Sequence, residues 1–99
     1  MYGCKCTGTT AESGIWIQAT RAEIYNCEVS DKTGEAIAID GSVIFASHIS
    51  GSGNTVCFHV GSSSSGISGL LIGDNHRIAG TTKYLRDRGG IVFADGALV

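Results

Sequence analysis

Ninety-nine residues suffice for one domain or a piece of one, and a chain this short folds alone only if its packing is regular. Fifteen glycines and no proline argue against long helices and leave the backbone free to donate hydrogen bonds along sheet ladders. A formal charge of −2, with seven scattered Lys and Arg, excludes the basic stripe of a nucleic-acid reader, and no apolar run reaches the roughly 18 residues of a membrane span.

In chain order the apolar runs are GIWIQ (14–18), AEIYNCEV (22–29), EAIAID (35–40), SVIFASHI (42–49), TVCFHV (55–60), GLLIGDNHRI (69–78) and GIVFADGAL (90–98). Each is short, rich in β-branched or aromatic residues and bounded by Gly, Ser, Asp or Asn, which is the pattern of strands. Two types alternate. GIWI, EAIAI and VCFHV form one series; AEIYNCEV and SVIFASHI, continued loosely by LLIGDNHRI, form the other. Overlaid twenty positions apart, the second series sets Ile24 over Ile44, Tyr25 over Phe45 and Val29 over Ile49. A period near twenty predicts one solenoid turn per repeat, with two strands and two bends in each. Equivalent strands then pair in parallel, and equivalent side chains stack as interior ladders. Asn26 and the Asp74–Asn75 pair fall where such a chain bends, since short polar side chains tolerate left-handed backbone. The Ser/Gly-rich stretch at 61–69 interrupts the period and is expected as a corner loop. Neither end shows a capping helix, which predicts a neighbouring segment, a partner chain or oligomerisation to cover it. N-terminal MYGCKCTGTT lacks the basic start and apolar core of a signal peptide and runs directly into strand-like pattern. Residues 1–99 are therefore expected as a single β-helix domain or a fragment of one.

Of the four cysteines, Cys27 and Cys57 lie in apolar phases and are expected as core thiols. Cys4 and Cys6 share one side of a strand without the spacing of a disulfide framework. His48, His59 and His76 are expected at the surface. Cys57 with His59 makes at most half a zinc site, and neither metal nor cofactor is expected. Glycoside hydrolysis needs two acids about 5 to 9.5 Å apart, and the candidates are Asp31, Glu35, Asp40 and Asp74, with Glu12 stacking near Asp31. Solvated turn acids are the plainer reading of all of them. Trp16 lies between two inward isoleucines and so points outward. The same alternation turns Tyr25 and Phe45 outward, one above the other, as a subunit interface or a carbohydrate platform.

The phrases GIWIQATRAEIYNCEVSDKTGEAIAID and GLLIGDNHRIAG resemble the right-handed parallel β-helix of the pectate-lyase-like superfamily, in particular its bacteriophage tailspike and depolymerase branch. The resemblance spans roughly residues 14 to 80 and rests on coil length, an I-x-N-C-x-V strand and the GIxI strand start. It implies an all-β, single-stranded right-handed parallel β-helix of about four or five coils. It further implies a homotrimer, a polysaccharide as ligand or substrate, and a virion-tail or extracellular setting. Pectate lyases carry clustered aspartates for calcium and an arginine base; here the aspartates are scattered and accompany neither Arg21 nor Arg77. No catalytic residue is carried over from the family. The expected function is a non-catalytic structural or carbohydrate-facing segment. A polysaccharide hydrolase or lyase using acids on one coil face, and a protein-binding repeat scaffold, are the alternatives.

Overall fold

The apolar runs do form strands, and one set of corners between them turns on single left-handed residues rather than loops. In the computed structural model, which describes residues 2–6, 13–41, 43–62 and 69–99, the strands in chain order are β1 (Lys5–Cys6), β2 (Ile15–Ile17), β3 (Arg21–Tyr25), β4 (Glu28–Val29), β5 (Glu35–Ile39), β6 (Val43–Ser47), β7 (Ser50–Val60), β8 (Leu70–Asp74), β9 (Arg77–Arg86), β10 (Ile91–Ala94) and β11 (Ala97–Leu98). No helix occurs among the described residues. Glu12 and positions 63–68 of the expected corner loop lie outside them.

The strands wind into a parallel β-helix of about four turns, so the solenoid expected from the repeat is present. Each turn has three faces rather than two. On the first face β2, β5 and the C-terminal parts of β7 and β9 stack; Ile15 pairs with Ile37, Ile37 with Phe58 and Phe58 with Tyr84. On the second face β3, β6, β8 and β10 stack in parallel, and Tyr2 bridges to Tyr25 above them. The third face carries β1, β4 and the N-terminal parts of β7 and β9. Both long strands turn the corner from third face to first without ending, and in β7 the register shifts between Gly51 and Asn54.

The corner between second and third faces explains why AEIYNCEV reads as one strand but is two. Gly3, Asn26, His48, Asn75 and Asp95, one per coil, all adopt left-handed backbone, with φ between 53° and 63°. A single left-handed residue redirects the chain without a loop, and Asn and Asp tolerate that conformation better than other side-chain-bearing residues. The column is also laced together. Asn75 Nδ2 lies 3.3 Å from His48 Nε2, and the Asn75 amide donates to Asp95 Oδ1 at 3.2 Å.

The true repeat differs from the one the sequence overlay suggests. Ala22, not Ile24, pairs with Ile44, and Ile24 pairs with Ala46, a step of 22 residues (46 − 24). The corners set this register, because each left-handed residue must sit under the last. The overlay instead matched the most similar side chains. The correct register gives interior ladders of complementary size. Along the second face Ile24, Ala46, Gly73 and Ala94 succeed one another, while the third face supplies Cys27, Ile49 and then His76 at the matching height. Small residues on one wall admit the large one on the other. At Gly73 this is obligatory, since an added Cβ would lie 1.6 Å from the Ala46 carbonyl oxygen and 2.8 Å from His76 Nε2.

His76, expected at the surface, is therefore a core residue, 4% exposed. Its Nε2 donates to the Ala46 carbonyl at 2.7 Å, and its Nδ1 accepts from the Tyr84 hydroxyl at 2.6 Å. Burial lowers its pKa and pushes that of Tyr84 up to about 12. Cys27 and Cys57 are buried among the isoleucines as expected of core thiols. Asn54 is the other polar staple inside the coil. Its Nδ2 donates to the carbonyls of Val29 at 3.0 Å and Ala79 at 3.3 Å, and its Oδ1 accepts from the Lys32 amide at 3.2 Å. One side chain thus satisfies backbone groups of the coils before and after its own, at the place where β7 breaks register. At the C-terminal end β11 folds back antiparallel onto β10, and the Val99 amide donates to the Val92 carbonyl at 2.8 Å. The lower edge of the second face is thus paired by a hairpin that the sequence reading did not anticipate.

Candidate functional site

Inward ladders hold the coil together, so the side chains that can act on anything else are those pointing out, and the faces differ sharply in what they present. On the second face the register aligns three outward columns. Arg21, Val43, Leu70 and Ile91 form the first; Glu23, Phe45, Ile72 and Phe93 the second; Tyr25, Ser47 and Asp74 the third. Below Arg21 and Glu23 the first two columns are wholly apolar, and Leu98 extends them beside Phe93. Ile91 is 44% exposed, Phe93 42% and Leu98 65%. Strands 43–45, 70–72 and 91–93 are thus apolar in both phases of the alternation, the composition of strands covered on both sides.

Tyr25 and Phe45, expected directly above one another, are offset by one outward position. Tyr25 pairs with Ser47 and Phe45 with Glu23, as the 22-residue step requires. They nonetheless border the same shallow groove of about 290 Å³, shared with Ser47, Ile72 and Asp74. Tyr2 stacks on Tyr25 with ring centres 5.3 Å apart, and the Arg21 guanidinium lies 4.9 Å from the Phe45 ring centre. Asp74 and Asp95 lie at its corner with the third face, and Arg86, Asp87 and Arg88 follow one another at its corner with the first.

The first face is mixed outside. Its outward column is Trp16, Ala38, His59 and Leu85. Trp16 is 60% exposed and points outward as its spacing predicts. Its indole N–H donates to Asp40 Oδ2 at 2.8 Å, and the same oxygen accepts from Ser62 Oγ at 3.0 Å. A buried carboxylate therefore pins an aromatic plane whose other side faces solvent. Below it His59 Nε2 approaches Asp87 Oδ2 at 2.6 Å, while its Nδ1 faces Glu35 Oε1 at 3.8 Å.

The four candidate acids are distributed over the corners. Asp31 occupies a left-handed turn between third and first faces, φ 62°, and its amide donates to the Ser52 carbonyl. Glu35 opens β5 beside His59. Asp40, at the end of β5, is buried and held by Trp16 and Ser62. Asp74 lies at the opposite corner of the second face. The acid brought nearest to Glu35 through His59 is Asp87, which the sequence reading had not singled out. Its position in the turn after β9 becomes meaningful only when coils are stacked in the 26-residue step from Phe58 to Tyr84 (84 − 58). Among the described residues no group of three or more His, Cys, Asp and Glu side chains is placed to hold a metal, and no helix is long and apolar enough to cross a membrane. The apolar second face was the largest omission. Its signal was present in VIF, LLI and IVF, where alternation fails. Compared with protein families, curated proteins and solved structures, the chain matches none.

Proposed function

We propose that this chain is a non-catalytic structural segment of a β-helical assembly, similar to the tailspike branch of the pectate-lyase-like superfamily, in which the second face packs against other copies of the chain. One observation carries the reading: Val43, Phe45, Leu70, Ile72, Ile91 and Phe93 make strands 43–45, 70–72 and 91–93 of this sheet apolar outside as well as inside. A solvated sheet face has polar residues in that phase, and a covered one does not. A second copy of the chain is the partner proposed for it. Three prisms set side by side about a threefold axis bring one edge of this face against the opposite edge of the next chain. Sedimentation equilibrium at two loading concentrations tests this. A trimer is expected for the wild type and a monomer for Ile72→Lys with Phe93→Lys; a wild-type monomer at both concentrations contradicts the assembly.

A carbohydrate-facing role is favoured by a separate observation, the pinned and solvent-facing ring of Trp16 on the first face, which the proposed assembly leaves uncovered. Flat apolar rings of this kind stack on the faces of sugars. Polysaccharide retention on an affinity column, lost in Trp16→Ala and kept in Phe93→Lys, is the expected result. Retention unchanged by Trp16→Ala removes this part of the proposal.

A further inference from the structure

We infer that Cys4 and Cys27 are a paired modification site: the two half-cystines of a reversible disulfide that ties the first coil to the second by exchange with a small-molecule disulfide of the glutathione class. The register places them opposite each other. Lys5 pairs with Glu28 and Cys6 with Val29, so the rung before these joins Cys4 to Cys27, and the Glu28 amide donates to the Cys4 carbonyl at 2.8 Å. Adjacent strands lie about 4.7–4.9 Å apart, inside the roughly 4.4–6.8 Å between Cα atoms that a disulfide spans. The side chains also point the same way. Cys4 Sγ lies 3.9 Å from the Tyr2 carbonyl oxygen and Cys27 Sγ 3.5 Å from that of Tyr25, the same local arrangement repeated one coil later. Both belong to the interior ladder that continues as Ile49 and His76.

Their neighbours cannot substitute. Cys6 faces Val29, and Cys57 sits across the coil on the first face, beside Phe58. Exposure sets the order of events, because Cys4 is half-buried and Cys27 fully buried. The Cys4 thiolate attacks one sulfur of oxidised glutathione, the S–S bond of that molecule breaks, and one glutathione leaves as a thiol after taking a proton. The Cys27 thiolate then attacks the Cys4 sulfur and expels the second glutathione. Two electrons and two protons pass from the protein to glutathione, giving one protein disulfide and two reduced thiols. Burial, followed by the neighbouring Cys27, raises the Cys4 pKa, so the first attack is slow near neutrality and accelerates in mild alkali.

Trypsin makes the test unambiguous, because cleavage after Lys5, Arg21, Lys32 and Arg77 places the four cysteines in four different peptides: 1–5, 6–21, 22–32 and 33–77. The folded chain is equilibrated in reduced and oxidised glutathione, alkylated and digested in mild acid. The expected product joins peptide 1–5 to peptide 22–32, two hydrogens lighter than their sum, with Cys6 and Cys57 alkylated. It should disappear in dithiothreitol, persist in Cys6→Ser and be absent from Cys4→Ser. A loop of one coil closed in this way should raise Tm by roughly 10 °C. A stable glutathione adduct on Cys4, a link to peptide 6–21 or 33–77, or four alkylated thiols overturns the inference. The half-buried position of Cys4 lets the serine variant fold, and its unchanged Tm on adding oxidised glutathione is the matching control.

Discussion

The first and second faces of this β-helix are alike inside and opposite outside. Inward, each is a parallel ladder of apolar residues: Ile15, Ile37 and Phe58 on one, Ala22, Ile44, Leu71 and Val92 on the other. Outward, the first presents Trp16 and His59 with their acidic partners among Ala38 and Leu85, and the second presents Val43, Phe45, Ile72 and Phe93. The inner ladders account for folding, so both faces need them equally. Nothing about folding requires the second face to be apolar outside, and that surplus is where function is read. The third face also contributes to the core, through Cys27, Val29, Ile49 and Ile78. It supplies the corner column and the polar staples that keep the coils in register.

If the inner ladders are equivalent, damage to either should cost the same. The largest effect is expected at Gly73, where Gly73→Val forces a side chain into the Ala46 carbonyl and His76; a loss above about 4 kcal/mol, seen as failure to give a cooperative denaturant transition, is predicted. Ile37→Ala on the first face and Ile44→Ala on the second should each lose about 2–5 kcal/mol in urea unfolding. A large loss at only one of them would show that the faces are not equal partners in the core. Asn54→Leu should cost about 2–3 kcal/mol, because the Val29 and Ala79 carbonyls and the Lys32 amide lose their partner together. By contrast, Ile72→Lys or Phe93→Lys should change the stability of the isolated chain by less than about 1 kcal/mol while abolishing self-association.

A smaller effect is expected on pH titration. His76 is buried neutral, with Tyr84 donating to it, Asp74, Asp95 and Lys83 as its charged surroundings, and its pKa lowered chiefly by burial. The unfolded chain therefore binds more protons in the acid range. The stability His76 contributes is fully present above its ordinary value of about 6.5 and is lost as pH falls below it. Tyr84 acts at the other end. With its pKa raised to about 12, its contribution is intact below pH 10 and declines as pH rises beyond that. Tm should thus fall on both sides of a plateau between about 6.5 and 9, because the raised thiols of Cys4 and Cys57 lose their contribution before Tyr84 does. His76→Gln should flatten the acid side, and a variant that still loses Tm there would assign the effect to other groups.

Much of the fold could be read from short-range pattern alone. The apolar runs, the bends at Asn26 and Asn75, the outward Trp16 and the core positions of Cys27 and Cys57 each follow from a few neighbouring residues. What failed was whatever depends on stacking one coil on the next. The step of 20 came from matching Ile24 to Ile44, whereas the molecule aligns Asn26 under His48 and accepts Ala46 beneath Ile24. The burial of His76 follows from that true step, because only then does Gly73 lie opposite it. The third face was hidden because one left-handed residue turns a corner without leaving a loop in the sequence. The pairing of Glu35 and Asp87 across His59 joins residues from three different coils, which no local spacing encodes.

The most direct test of the contrast between the faces is paramagnetic relaxation by a soluble nitroxide, read on methyl and indole resonances of the assembled protein. The account predicts that methyls of Val43, Leu70, Ile72 and Ile91 are shielded as fully as those of Ile44 and Leu71, while the Trp16 indole is strongly broadened. Broadening of the outward second-face methyls to the same degree as Trp16 would show that this face meets solvent and would contradict the proposed assembly.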